Sequence, residues 1–216
     1  MSAAVPPVIA VTFADPYPPT LDARLAEPLS RWKWLVKWIL AIPHYVVLLF
    51  LWIAFVLVTI GAFFAIVFTG RYPRGMFSFN LGVLRWTWRV SYYADTGLGT
   101  DRYPPFSLGP EPDYPATLDI EYPDELSRWK PFVKWLFAIP QLCVVALFMG
   151  GWHFAFVWAP GLVGLLTLVG IVVYAFRRVY PPEIYRFVIG MVRWGFRVGA
   201  YVALMRDEYP PFRLEP

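Results

Sequence analysis

Nine arginines carry spacings suited to phosphate chemistry. Arg71, Arg74, Arg85 and Arg89 precede or line one segment, and Arg177, Arg178, Arg186, Arg193 and Arg197 do so in another. Arg74, Ser78, Gly82, Arg85 and Arg89 recur every three or four residues, as do Arg186, Gly190, Arg193 and Arg197. On a helix that spacing lines them along one face. A guanidinium grips phosphate through two parallel hydrogen bonds. Clusters of Lys and Arg beside a membrane segment read as sites for anionic lipid headgroups. Plain topology signalling is the competing role. Nucleic acid is a poor partner for these cations, because they flank apolar membrane runs.

Other chemistry has less material. His44 and His153 could be axial haem ligands, but the second half carries Gln141 where the first has His44. A structural or interfacial histidine is the stronger expectation. Asn80 could bind a headgroup or cap a helix. Asp22 and Asp119 recur in register, as do Arg31 and Arg128, so a structural ion pair between them is expected. Cys143 is the only cysteine, which excludes an internal disulfide and a multi-cysteine metal site. No phosphate-binding glycine loop, nucleophile elbow or zinc spacing occurs. The expectation is a protein that is not an enzyme and has no cofactor or metal.

The elements that position these groups follow from charge and hydropathy. The chain has 216 residues, 58% hydrophobic and 16% charged. No charged residue occurs from Trp38 to Gly70 or from Trp135 to Phe176, runs of 33 and 42 residues. An uncharged apolar run of about 18 residues or more reads as membrane-embedded. An integral membrane protein is expected. Residues 1–19 have neither a basic start nor a long apolar core, so they do not read as a signal peptide.

The sequence repeats. Tyr17–Pro43 and Tyr114–Pro140 agree at 16 of 27 positions without a gap. LRWTWRV at Leu84–Val90 aligns with VRWGFRV at Val192–Val198, and Tyr-Pro-Pro-Phe closes each half at Tyr103 and Tyr209. The expected organisation is an extension (1–16), repeat 1 (17–108) and repeat 2 (114–216). Each repeat reads as a short extended arm, a Trp/Lys interfacial amphipathic helix, an apolar membrane helix or hairpin, and a basic amphipathic helix. Ser30 and Ser127 are reasonable N-caps. The membrane segments are about 38–70 and 135–177, the second divided in two by glycine and proline near 150–161. The basic helices are about 75–94 and 183–205. The fold class is thus an all-α integral membrane protein with short extended arms.

How the helices sit is less determined. An Arg stripe beside an aromatic one suits a helix lying in the headgroup plane. The alternative is a crossing helix with its arginines turned into the bundle. Trp32, Trp38, Trp86, Trp88, Trp129, Trp135 and Trp194 lie near the apolar runs and are expected as interfacial anchors. Seven Tyr-Pro dipeptides read as rigid structural corners. Lys and Arg number 4, 8 and 7 in residues 1–37, 71–134 and 177–216. Basic loops prefer the cytoplasmic side. A multi-pass protein of the inner (plasma) membrane is expected, its polar segments mostly cytoplasmic and each run returning to its starting side.

RWKWLVKWILAIPH, FTGRYPRGMFSFNLGVLRWTWRV and DRYPPFSL together resemble the bacterial, mainly actinobacterial, membrane proteins carrying the domain of unknown function 4389. The resemblance covers residues 17–213 as two copies, the second departing at Gln141 and at RRVYPPEIYRFVIGMVRW. It implies a membrane location but no reaction or substrate. The leading functional expectation is an accessory or scaffold subunit of a membrane assembly that contacts anionic lipid and other membrane protein subunits. Handling or transport of a lipid or small hydrophobic molecule is the alternative. A haem or quinone membrane subunit stands behind both.

Overall fold

A computed structural model describes residues 20–26, 28–96, 98–150 and 161–214. The extension 1–16, His153 and the Trp158-Ala159-Pro160 break fall outside them. The uncharged first run and the four residues before it form α1 (Trp34–Leu40) and α2 (Ile42–Thr69), with Ala41 alone between them. Pro43 lies in the first turn of α2, where its missing N–H costs nothing. Gly70, in the left-handed region at φ 72°, ends the helix and donates its N–H to Ile66 O. After Pro73 the basic segment forms α3 (Arg74–Ala94) and returns along α2. Three bonds fix that antiparallel course: Trp86 to His44 (3.0 Å), Trp52 to Thr87 (3.2 Å) and Asn80 to Thr59 (3.0 Å).

Among the described residues, the second half has three helices. Its apolar run is divided into α4 (Lys130–Met149) and α5 (Leu162–Arg177), followed by the basic α6 (Pro182–Val202). The long run was expected to double back as a hairpin. Instead α4 and α5 follow one another end to end. Leu126 N–H donates to Gly70 O (2.9 Å), so α4 begins beside the end of α2. Tyr174, near the end of α5, is bonded to both Leu29 N–H and Leu29 O (2.8 and 2.9 Å), beside the start of α1. Where the pieces meet, a Cβ on Gly161 would fall 2.2 Å from the Gly150 nitrogen. Together α4 and α5 cover the length that α1 and α2 cover alone.

The arms form β1 (Thr20–Ala23) and β2 (Ala116–Asp119), which pair antiparallel. Leu21 stands opposite Leu118, and Thr20 and Asp22 stand opposite Asp119 and Thr117. Those positions are equivalent between the halves, so a two-fold pseudo-axis passes through the Leu21–Leu118 pair. An isolated two-stranded sheet is marginal; here α3 and α6 hold it. Arg85 of α3 donates to Leu118 O (2.9 Å), and Arg193 of α6 donates to Leu21 O (3.0 and 3.2 Å). Each arm is therefore gripped by the basic helix of the other half.

Three layers result. The apolar helices α1, α2, α4 and α5 form one face. α3 and α6 form the middle, packed on the apolar helices on one side and on the arms and linker on the other. Their burial on nearly all sides corrects the expectation that their arginine and aromatic stripes face lipid headgroups. The segment 98–128 forms the third layer with the arms. It meets the end of α3 with Tyr103 at Tyr93, its middle with Leu108 at Gly82 and Leu118 at Arg85, its start with Tyr122 at Phe77, and then places Leu126 at Gly70 below the first turn.

Candidate functional site

Two faces could carry function: the apolar layer and the cations at its ends. The large exposed hydrophobic side chains lie on or beside α1, α2, α4 and α5, from Trp32 (69% exposed) through Leu57 and Phe68 to Phe132 and Phe176 (82%). The exceptions are Tyr103, Phe106, Tyr209 and Phe212 of the Tyr-Pro-Pro-Phe motifs, which rest on the buried polar centres described below. On α2 the inward side is one narrow stripe, His44, Leu48, Phe55, Ala62 and Ile66. Among the described residues, two helices, α2 and α4, are long and apolar enough to cross a membrane. Soluble monomers rarely expose contiguous apolar patches beyond a few hundred Å².

The arginines divide between inside and outside. Arg89, Arg193 and Arg197 are buried, Arg197 completely. Arg89 bonds Ser107 O and Gly109 O, Arg193 bonds Leu21 O, and Arg197 bonds Arg213 O. Arg85 is mostly covered and pairs with Asp119. Instead of headgroups, Arg85, Arg89 and Arg193 hold backbone carbonyls of the third layer and Arg197 holds one of the C-terminal segment. Arg71, Arg74, Arg177, Arg178 and Arg186 are exposed; Arg186 pairs with Glu183 at 3.1 Å. Arg71 lines an open cleft of about 380 Å³ with Thr69, Gly70, Glu125 and Arg128. At the opposite end the Tyr174–Leu29 bonds bring Arg177 and Arg178 beside the segment carrying Arg31. Each end of the apolar layer thus bears a cluster of exposed guanidinium groups.

The tryptophans divide in the same way. Trp32, Trp38, Trp129 and Trp135 are exposed on or beside α1 and α4. Trp86, Trp88 and Trp194 are core residues, not interfacial anchors, because α3 and α6 are the middle layer. Trp88 Nε1 reaches Asp22 O. Trp86 Nε1 donates to His44 Nδ1, and Trp194 Nε1 donates to Gln141 Oε1 at 2.7 Å. Phe106 stacks on His44 at 3.9 Å between ring centroids. His44 is fully buried with Nδ1 engaged, so the geometry gives it a structural place. Asn80 is also buried, bonded to Thr59 and Tyr72, and faces no headgroup.

One pair of sites went unnoticed in the sequence. Lys37 is buried against Asp101 (2.8 Å) and donates to Thr100 O (2.6 Å). Lys134 is buried against Asp207 (2.7 Å) and donates to Arg206 O (2.7 Å). The same carboxylates accept the backbone N–H of Ser30 and Ser127, at 2.7 and 2.8 Å. Ser30 and Ser127 are therefore not side-chain N-caps; the N-cap residues of α1 and α4 are Lys33 and Trp129, neither with a side-chain cap bond. The available signal was that Asp101 and Asp207 each stand two residues before Tyr-Pro-Pro-Phe. The expected pairing of Asp119 with Arg128 is replaced by Arg85–Asp119. Burial pushes the Asp207 carboxyl up, but hydrogen bonds from Lys134 and the Ser127 N–H, with the Lys134 and Lys130 charges, outweigh it and hold the group below its usual value.

Residues 31–107 match the model of a domain of unknown function (DUF4389). The family resemblance is supported over that stretch, which runs from α1 through the first Tyr-Pro-Pro-Phe. No curated protein and no solved structure matches the chain.

Proposed function

We propose that the protein is a non-enzymatic, membrane-bound scaffold or accessory subunit built from two tandem copies of one unit. Its apolar layer lies in lipid. The cations at the two ends of that layer, Arg71, Arg74 and Arg128 at one and Arg31, Arg177 and Arg178 at the other, hold anionic headgroups. Its arm-and-linker layer is left to face other subunits of an assembly at the cytoplasmic side of the inner membrane. The observation that carries this reading is the continuous exposed apolar face on α1, α2, α4 and α5. Burying such a face in lipid is favourable by about 25 cal/mol per Å² of apolar surface.

Flotation with vesicles tests it. The purified chain is expected to float with phosphatidylglycerol/phosphatidylcholine vesicles, and less with phosphatidylcholine alone. Replacing Arg71, Arg74, Arg128, Arg177 and Arg178 together by Gln is expected to abolish the anionic preference. Juxtamembrane cations contribute about 1 kcal/mol each on anionic surfaces, so five predict a loss of three to four decades or so. A chain that stays in the aqueous fraction with both vesicle types contradicts the reading.

A further inference from the structure

We infer that the apolar helices do not cross the bilayer but lie along it, sunk into one leaflet, with the arm-and-linker layer in water on the same side. This rests on the membrane reading above and says how the membrane is engaged. It replaces the multi-pass expectation.

Three observations carry it. The first is the course of the linker. It starts with Asp101 and Thr100 beside Lys37 before α2, and ends with Leu126 at Gly70 after α2. It therefore runs the whole length of α2 on the far side of α3. It carries Asp101, Arg102, Glu111, Asp113, Asp119, Glu121, Asp124, Glu125 and Arg128. Were α2 to span the bilayer, all of this charged chain would have to pass through the bilayer alongside it. Ionisable groups in the hydrocarbon are costly even singly.

The second is where the charges stand. Arg85 lies on α3 between Asn80, which meets Thr59, and Thr87, which meets Trp52. Its partner Asp119 is thus level with the middle of α2, with a side chain 67% exposed, and Glu121 nearby is 79% exposed. A perpendicular α2 would hold an exposed carboxylate at the bilayer midplane.

The third is length. Exposed apolar side chains continue from Leu35 to Phe68. That stripe is about 50 Å long at 1.5 Å per residue, against a hydrocarbon core of about 30 Å. A helix lying in the leaflet immerses all of it. The α4–α5 pair, antiparallel to α1–α2 across the pseudo-axis, lies in the same layer. In this orientation the pseudo-axis coincides with the membrane normal, and the guanidinium clusters fall at the headgroup level at both ends.

Nitroxide depth measurement tests the inference on the full chain. In a Cys143→Ser background, Phe50→Cys, Leu57→Cys, Phe64→Cys and Glu121→Cys are labelled one at a time. Each is bound to phosphatidylglycerol/phosphatidylcholine vesicles. Collisions with oxygen and with a water-soluble nickel chelate then give depth. The three α2 positions are seven residues apart, on one exposed face. The expected result is the same depth at all three, with Glu121 in water. A profile with Leu57 about 10 Å deeper than Phe50 and Phe64 overturns the in-plane orientation and leaves the membrane reading standing. Full water accessibility at all four overturns both.

Discussion

Lys37 and Lys134 each anchor the segment that leads into a Tyr-Pro-Pro-Phe motif. Each ammonium is buried while its carboxylate partner keeps some contact with solvent. Breaking such a pair from the carboxylate side leaves an uncompensated buried charge, at a cost of about 3–5 kcal/mol. Asp101→Ala is therefore expected to lower the unfolding midpoint in detergent far more than Arg24→Ala on the exposed arm. The pH dependence has a definite sign. The Asp207 carboxyl is held below its usual value in the folded chain, whereas unfolded it titrates at about 3.9. Its stabilisation is complete above that pH and is lost as pH falls through the lowered folded value. Unfolding midpoints should show a constant gap between the natural protein and Asp207→Asn from about pH 5 to 8, narrowing below about pH 4. A gap that widens on acidification contradicts the assignment. The His44 centre makes a second residue-scale prediction. Gln141 accepts the Trp194 N–H as His44 accepts that of Trp86. His44→Gln should therefore cost little, whereas His44→Leu leaves the Trp86 N–H unpaired and costs about 1–3 kcal/mol. Thermal unfolding of the two variants distinguishes them.

At the scale of elements, the close approach of the linker to α3 and of the C-terminal segment to α6 depends on one glycine each. A Cβ on Gly82 would fall 2.8 Å from Leu108 O, and one on Gly190 would fall 2.9 Å from Leu214 O. Gly82→Val must push the linker away and cost about 1–3 kcal/mol as overpacking does. Faster proteolysis between residues 101 and 113 than in the natural protein would report it. The helices themselves were legible in the sequence, because uncharged runs and three-to-four spacing are direct signals of helix. Their environment was not. An Arg stripe beside an aromatic stripe reads the same whether the arginines meet lipid phosphates or carbonyls of a folded-back arm. For Arg89, Arg193 and Arg197 it is the carbonyls. Trp86, Trp88 and Trp194 misled for the same reason: a tryptophan between apolar and polar neighbours suits a membrane interface and a middle layer equally. The exposed tryptophans, Trp32, Trp38, Trp129 and Trp135, are those on or beside α1 and α4 rather than on the basic helices. The end-to-end run of α4 and α5 was hidden too, since glycines at 150 and 161 serve a hairpin as readily as a junction.

At the scale of the whole molecule, the exchange of arms across the pseudo-axis ties the halves into one body. Each arm is held by the other half's arginine, so neither half completes its third layer alone. The result is a slab with an apolar face, a buried helical middle and a charged face. The two faces are chemically so different that the slab has one orientation relative to a membrane surface. Because α3 runs antiparallel to α2, and α6 packs along α4 and α5, all the long helices lie in the planes of these layers. Polarised infrared absorption of the protein on supported phosphatidylglycerol/phosphatidylcholine bilayers reads that orientation directly. The expected amide I dichroism has the mean helix axis parallel to the bilayer surface. Helix axes aligned along the membrane normal would contradict it.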